Sequence, residues 1–262
     1  MDLNTVSEVV SPAEVGQWRP GDAWLGGGTA LFAEPRPHLT RLLDLTTAGW
    51  PALTRRDDGL EIAATCTIAE LAAHGDELAA SGCDIIGKCC HAFLASFKIW
   101  NVATVGGNLC AALPAGPMIA MGAALDGTCL LQGPDGERRV PVEEFVTGEG
   151  TTVLKDGELL RSIHLPAEAL TAVTAYRQGS LHAHGRSGVL LIGRRGSLTV
   201  TAATKRPHKL IFRTSPSQEQ LQVALTEQIP DDAYLDDVHG TPAWRRHMTR
   251  LYAEEIRQEL TL

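Results

Sequence analysis

Two glycine-rich segments carry the residues best suited to chemistry. The first is Leu25-Gly26-Gly27-Gly28-Thr29-Ala30-Leu31, directly after a short apolar run. Consecutive glycines open backbone conformations closed to other residues and let the chain approach a ligand closely. Their amides can converge on an anion, and Thr29 adds a hydroxyl donor. The same glycines would also make a plain turn. The second segment, Ala103-Thr104-Val105-Gly106-Gly107-Asn108-Leu109, repeats the chemistry with a hydroxyl, two glycines and a carboxamide. Two such loops could close on the two sides of a pyrophosphate. Neither has the glycine spacing of a Rossmann fingerprint, and neither is a Walker A loop, which argues against those nucleotide-binding domains. The residues alone lead as far as a bound anion, such as a dinucleotide.

The elements that would position these loops are legible in part. Up to about Leu53 the chain is punctuated by Pro12, Pro20, Pro35, Pro37 and Pro51, with residues 23–25 and 42–45 reading as strands. Residues 60–64 read as another strand. Thr67 opens a helix, with Glu70 completing a capping-box pattern. A second helix is expected over residues 85–97, then a polar turn and glycine loop over 101–108. Pro117 suits the first position of a further helix with Met118, Met121 and Leu125 on one side, ended by Asp126 and Gly127. Residues 130–131 and 139–142, around Gly133-Pro134-Asp135-Gly136, predict a hairpin, and 159–165 a strand. Residues 189–192 and 197–203 read as strands, and 244–260 as a closing helix. A domain boundary is placed near residue 167. Strands and helices without a strict βαβ rhythm predict an α+β class.

Bulk properties narrow the function. The 262 residues suffice for one large domain or two smaller ones. With 23 Lys and Arg against 31 Asp and Glu, the formal charge is -8. A nucleic-acid binder needs a basic footprint to displace phosphate counterions, so that class is set aside. No run approaches the ~18 apolar residues of a membrane span. The start, MDLNTVSEVV, lacks the basic and apolar regions of a signal peptide, and a cytoplasmic location is expected.

The six cysteines, Cys66, Cys83, Cys89, Cys90, Cys110 and Cys129, show no Cys-x-x-Cys pair and no spacing typical of zinc or iron–sulfur ligation. They are expected as free, buried thiols. His182 and His184 would share one face of a strand, with a surface or interface role expected over a metal site. Asp236, Asp237 and His239 fit a loop before the last helix, capped by Thr241 or its neighbours. From residue 171 to 214 there is no acid, while Arg177, Arg186, Arg194, Arg195, Lys205, Arg206, Lys209 and Arg213 all occur. That stretch suits a solvated face or an acidic partner equally. No Ser/His/Asp or Cys/His set stands out.

The two glycine loops carry a family resemblance. The chain resembles the FAD-binding, medium subunit of the molybdenum hydroxylases, the xanthine dehydrogenase and carbon monoxide dehydrogenase group. That family has an AGGT-x-L loop and a signature near RN-x-AT-[IV]-GGN, here Trp100-Asn101-Val102-Ala103-Thr104-Val105-Gly106-Gly107-Asn108. The likeness continues through Leu159-Leu160-Arg161-Ser162-Ile163-His164-Leu165-Pro166 and Tyr176-Arg177-Gln178. It reaches Asp237-Val238-His239-Gly240-Thr241-Pro242-Ala243-Trp244-Arg245-Arg246, and so covers essentially the whole chain.

The resemblance implies an FAD-binding fold of the vanillyl-alcohol-oxidase (PCMH) type. Two α/β subdomains, about 1–55 and 56–167, would form a domain over 1–167. A smaller sheet-and-helix domain, like the C-terminal domain of carbon monoxide dehydrogenase flavoprotein, would occupy 168–262. Leu25, Gly26, Gly27, Gly28, Thr29, Ala30 and Leu31 with Thr104, Val105, Gly106, Gly107 and Asn108 would hold the pyrophosphate and ribityl atoms. Leu94 would touch the cofactor, Leu160 would lie near the flavin, and Arg177 would bring a cation that stabilises anionic reduced flavin. One departure stands out: relatives have P-x-[SA]-D after the second loop, and here Pro117 takes the Asp position.

The function implied is an electron-transfer subunit of a multi-subunit oxidoreductase. A large partner would carry the molybdenum cofactor and a small one the iron–sulfur clusters, with FAD on this chain passing electrons to NAD or another acceptor. The alternatives are a self-sufficient flavin oxidoreductase and a non-redox docking subunit that has lost FAD.

Overall fold

A computed structural model describes residues 3–14, 17–79 and 83–260. Among them, the first layer is a small parallel sheet of β1 (Glu8–Val10), β2 (Asp22–Leu25) and β3 (Arg41–Asp44) in the order β1-β3-β2. Leu42 and Leu43 are buried. At the start of β2 and β3 the Arg41 guanidinium donates twice to the Asp22 carboxylate, at 2.8 and 2.5 Å. Arg41 holds the Asp22 carboxyl below its usual range, against the opposing effect of burial. This bidentate pair fixes the sheet, so β2 delivers the first glycine loop from the carboxyl end of a parallel strand, the customary side for ligands in such sheets.

The second layer is an antiparallel sheet. It comprises β4 (Leu53–Arg56), β5 (Gly59–Ala63), β6 (Thr128–Gly133), β7 (Gly136–Pro141) and, after a ribbon of β8 (Val146–Gly148) and β9 (Thr151–Thr152), β10 (Leu159–Pro166). The order is β4-β5-β10-β6-β7. Helices α1 (Ile68–Ala79), α2 (Ile85–Ala92), α3 (Phe97–Trp100), α4 (Val105–Cys110) and α5 (Pro117–Ala124) lie between β5 and β6 in the chain. Every residue of α5 is buried, so an all-round apolar sequence is what this helix needs. Short turns α6 (Val142–Phe145) and α7 (Ala167–Leu170) follow.

Beyond residue 170 an antiparallel meander of β11 (Thr174–Gly179), β12 (Val189–Arg194), β13 (Ser197–Thr201) and β14 (His208–Ile211) precedes α8 (Gln218–Gln228) and α9 (Pro242–Leu260). Alternation along β12 divides its side chains between two cores. Leu190 and Ile192 join the cluster built from residues 60–169, whereas Val189 and Leu191 join Leu225, Ala253 and Ile256 beneath α8 and α9. The meander is thus sandwiched between α5 and the two C-terminal helices.

Charges reinforce that junction. Asp126, just past α5 with φ of 53°, accepts from both Arg194 and Lys209. Lys209 also donates to the Ala123 carbonyl at 3.1 Å, closing the end of α5. Arg177 donates to Glu255 and Glu259 of α9 at 2.6 and 2.7 Å. Several cations of the acid-free stretch are therefore consumed within the chain. No helix among the described residues is long and apolar enough to cross a membrane.

The capping box is present: Thr67 N–H donates to Glu70 Oε2 at 2.8 Å and Glu70 N–H to Thr67 Oγ1 at 3.2 Å. Pro117 opens α5, and the hairpin forms between β6 and β7. The helix expected over 85–97 instead ends at Ala92 and resumes as a single turn at Phe97, where the Trp100 indole N–H folds back onto the Phe93 carbonyl. Part of the expected loop 101–108 is helix α4, because the Thr104 hydroxyl caps it by accepting from Gly107 N–H at 3.0 Å. His182 and His184 lie not on a strand but on an exposed loop between β11 and β12. Five of the cysteines are buried, whereas Cys110 is exposed, contrary to the expectation for all six.

Candidate functional site

The two glycine loops meet. A Cβ placed on Gly27 would lie 1.5 Å from the Val102 carbonyl oxygen, so the backbones touch there and only glycine fits. Gly28 has φ of +73°, and its carbonyl accepts from Phe32 N–H at 2.9 Å, turning the chain back after the loop. A Cβ on Gly26 would lie 3.1 Å from Thr104 Oγ1. The amides of Gly27, Gly28 and Thr29 make none of the turn, loop or cap hydrogen bonds among the described residues, so they remain available as donors.

In the second loop the roles divide. Val105 and Gly106 are buried, and their amides donate to the carbonyls of Cys66 and Ala64 at 2.8 and 3.0 Å. They anchor the loop onto the end of β5. Thr104 accepts from Gly107 N–H but keeps its own hydroxyl proton to donate. Asn108 Oδ1 accepts from Met118 N–H at 3.1 Å, which fixes the carboxamide and leaves its NH₂ group free to donate.

Two clefts flank α4. The first is lined by Trp24, Gly26, Gly27, Gly28, Thr29, Ala30, Leu31, Arg36, Thr104, Gly107, Cys110 and Ala111. The second is lined by Ala92, Phe93, Leu94, Asn108, Leu113, Ala115, Gly116, Pro117 and Arg186. Neighbours Gly107 and Asn108 open onto different clefts, so α4 stands between them. The first offers amides, two threonine hydroxyls and a guanidinium. The second offers apolar walls with one carboxamide and one guanidinium.

Residues 4–168 match the family described as the FAD binding domain in molybdopterin dehydrogenase. The chain belongs to this family. Relatives of this FAD-binding domain include the carbon monoxide dehydrogenase medium chain of Hydrogenophaga pseudoflava, 31% identical over 32% of this chain and 30% of the relative. The putative xanthine dehydrogenase FAD-binding subunit of Escherichia coli K12 is 28% identical over 55% of this chain and 50% of its own length. The chain thus matches half or less of these curated relatives' lengths. Solved structures share the fold over nearly all of both chains. Quinoline 2-oxidoreductase from Pseudomonas putida 86 has a TM-score of 0.78 at 18% identity, covering 99% of this chain and 98% of that one. Reconstituted CO dehydrogenase from Oligotropha carboxidovorans has 0.78 at 21%, covering 98% of each. The α+β architecture of this flavoprotein family is therefore the architecture of this chain.

The cleft residues suit the family's cofactor. Gly26 and Gly107 leave room where a Cβ would crowd Thr104, at 3.1 and 2.9 Å from its Oγ1. Arg36 Nε is enclosed without a hydrogen-bond partner among the described residues. Such a donor set matches a diphosphate flanked by a planar, largely apolar ring. Of the residues expected at the site, the loop residues 26–31, Thr104 and Gly107 line the first cleft, with Leu94 and Asn108 at the second. Val105 and Gly106 anchor the second loop through their amides, and Leu25 packs beside Gly28.

Leu160 and Arg177 do not join them. Leu160 is buried at 3% exposure in the core beneath β10, and Arg177 faces α9 through its paired glutamates. Sequence reasoning missed Trp24, Arg36, Cys110 and Arg186. The available signal for Arg36 was a lone cation held between Pro35 and Pro37.

Proposed function

We propose that this chain holds FAD across the two clefts and works as the electron-transfer subunit of a molybdenum-containing hydroxylase. The observation that carries this reading is the meeting of the two glycine loops at Gly27 and Val102, with unpaired amides on the open side. FAD, when bound, takes up electrons and releases them in pairs to an acceptor.

The chain's own residues supply position and environment. Amides of Gly27, Gly28 and Thr29 with the Thr104 hydroxyl orient the diphosphate, while Val105 and Gly106 hold the loop in place. Asn108, its oxygen tied to Met118, donates from its NH₂ group at the second cleft. Phe93, Leu94 and Leu113 would keep water from the ring, and Arg186 would supply the cation of that cleft. Leu160 and Arg177 act through packing and through α9.

Iron–sulfur clusters and the molybdenum cofactor belong to a small and a large partner in this reading, with NAD or another acceptor taking the electrons. Five of the six thiols are buried, Cys66 being pushed by burial up to about 12, which is poor preparation for binding a metal. The domain over 1–167 carries the cofactor, and the domain over 168–262 closes the second cleft through the loop bearing Arg186.

The test is purification of tagged chain from its own cells with analysis of flavin, iron and molybdenum. One FAD per chain, with iron and molybdenum on co-purifying smaller and larger chains, is expected. Hydroxylation of substrate by the chain alone would overturn the reading. Pro117 in place of an acid favours a second reading, a docking subunit without flavin, whose mark is a chain that binds the partners but no FAD.

A further inference from the structure

Arg36 lines the first cleft, and its Nε is enclosed without an acceptor among the described residues. Nε, closed to solvent and without a partner, carries an unrecovered desolvation cost, so an oxygen ligand in the cleft would meet the terminal nitrogens of the fork. The local sequence explains how the group is held there. Pro35 and Pro37 fix their own φ angles, and Pro37 confines Arg36 to extended backbone. Leu39 N–H then donates to the Arg36 carbonyl at 3.1 Å and closes the corner. Arg36 is mounted on a stiff corner of the chain.

The charge balance of the cleft points the same way. Among the described residues lining it none is an Asp or Glu, and Arg36 is the single cation. The other donors, the amides of residues 27–29 and the hydroxyls of Thr29 and Thr104, are neutral and cannot offset the charge of a diphosphate. A guanidinium fork matches pairs of phosphate oxygens in geometry as well as charge. Trp24, another lining residue, is fixed: its indole N–H donates to the Glu158 carbonyl at 3.0 Å, and its ring lies 5.4 Å from that of Trp18.

We propose that Arg36 reads the diphosphate of the cofactor, donating from its guanidinium to non-bridging phosphate oxygens in the glycine cleft. The inference rests on the reading that FAD is held here. It assigns recognition of the diphosphate to a residue outside both glycine loops, and it makes the cleft selective for dinucleotides over the bare flavin.

The test uses the full chain stripped of flavin and titrated with FAD, ADP and riboflavin, following tryptophan emission. Wild type should take FAD and ADP with a salt-sensitive affinity. Arg36→Met should weaken both by about ten- to hundredfold, leave riboflavin unchanged, and lose much of the salt sensitivity. Arg36→Lys, which keeps charge without the fork, should fall between. The melting temperature of the ligand-free Arg36→Met should be no lower than wild type, since the mutation breaks no bond of Nε and removes its desolvation cost. Equal FAD affinity in wild type and Arg36→Met overturns the inference, as does a loss for riboflavin as large as that for FAD. Failure of wild type itself to take FAD overturns instead the functional reading on which it rests.

Discussion

Replacing Arg245 tests how the C-terminal meander and its helices are held. Arg245 is 1% exposed, and its guanidinium donates to the carbonyls of Gly240 at 3.0 Å, Gly188 at 2.6 Å and Ala202 at 2.6 Å, and to Asp237. It therefore ties the start of α9 to the beginning of β12 and to the turn after β13. All three carbonyl-bearing residues are buried. Arg245→Met keeps much of the volume but leaves those oxygens without the donor. Each buried acceptor so stranded costs about 1–3 kcal/mol, and removal of one member of a buried charged network about 3–5 kcal/mol in all. Asp237, at 37% side-chain exposure, rehydrates and keeps the total near the lower end. A loss of about 3–4 kcal/mol is a large part of a typical stability and corresponds to a fall of roughly 10 °C in melting temperature. Urea titration and thermal melting followed by circular dichroism measure it. Arg245→Lys, with one point charge in place of a fork, should recover about half. A loss under about 1 kcal/mol for Arg245→Met would refute the argument that this one guanidinium holds the three segments together.

Other perturbations address the site and its supports. Gly27→Ala would drive a methyl into the Val102 carbonyl, so a loss of about 2–3 kcal/mol in stability and failure of FAD uptake are expected by melting and flavin fluorescence. Glu158 is held at about 2, from an ordinary 4.5, mainly by its hydrogen bond from Arg138. That depressed carboxyl contributes stability above about pH 4.5 that is lost as pH falls toward 2. Glu158→Gln should flatten this acid limb by about 1–2 kcal/mol, after allowance for solvent at the partly exposed Arg138. Asp126→Asn keeps tolerance of the left-handed backbone but removes the charge facing Arg194 and Lys209. It should cost about 1–2 kcal/mol and speed hydrogen exchange in α5 and β12–β14 together, an effect reduced by the partial exposure of Asp126.

The features that were legible in the sequence are those determined within a few residues. Thr67 with Glu70, Pro117 at a helix start, and the turn between β6 and β7 each depend on local hydrogen bonds or fixed φ angles. The glycine loops were legible as a type, but their division of labour was not. Whether Gly106 anchors and Gly107 opens depends on Ala64, a residue of another segment. The break after Ala92 is not legible in the local sequence because the indole of Trp100 creates it from outside the helix. Arg177 and Arg186 show the same limit: both are lone cations in an acid-free stretch. Only the packing of α9 makes one a structural pair and leaves the other at the second cleft.

The central claim, that this chain carries FAD, is tested most directly by the visible absorption spectrum of the purified chain, with identification of any flavin released on denaturation. The account predicts bands near about 370 and 450 nm and release of FAD. A colourless protein that stays colourless after incubation with excess FAD would contradict it.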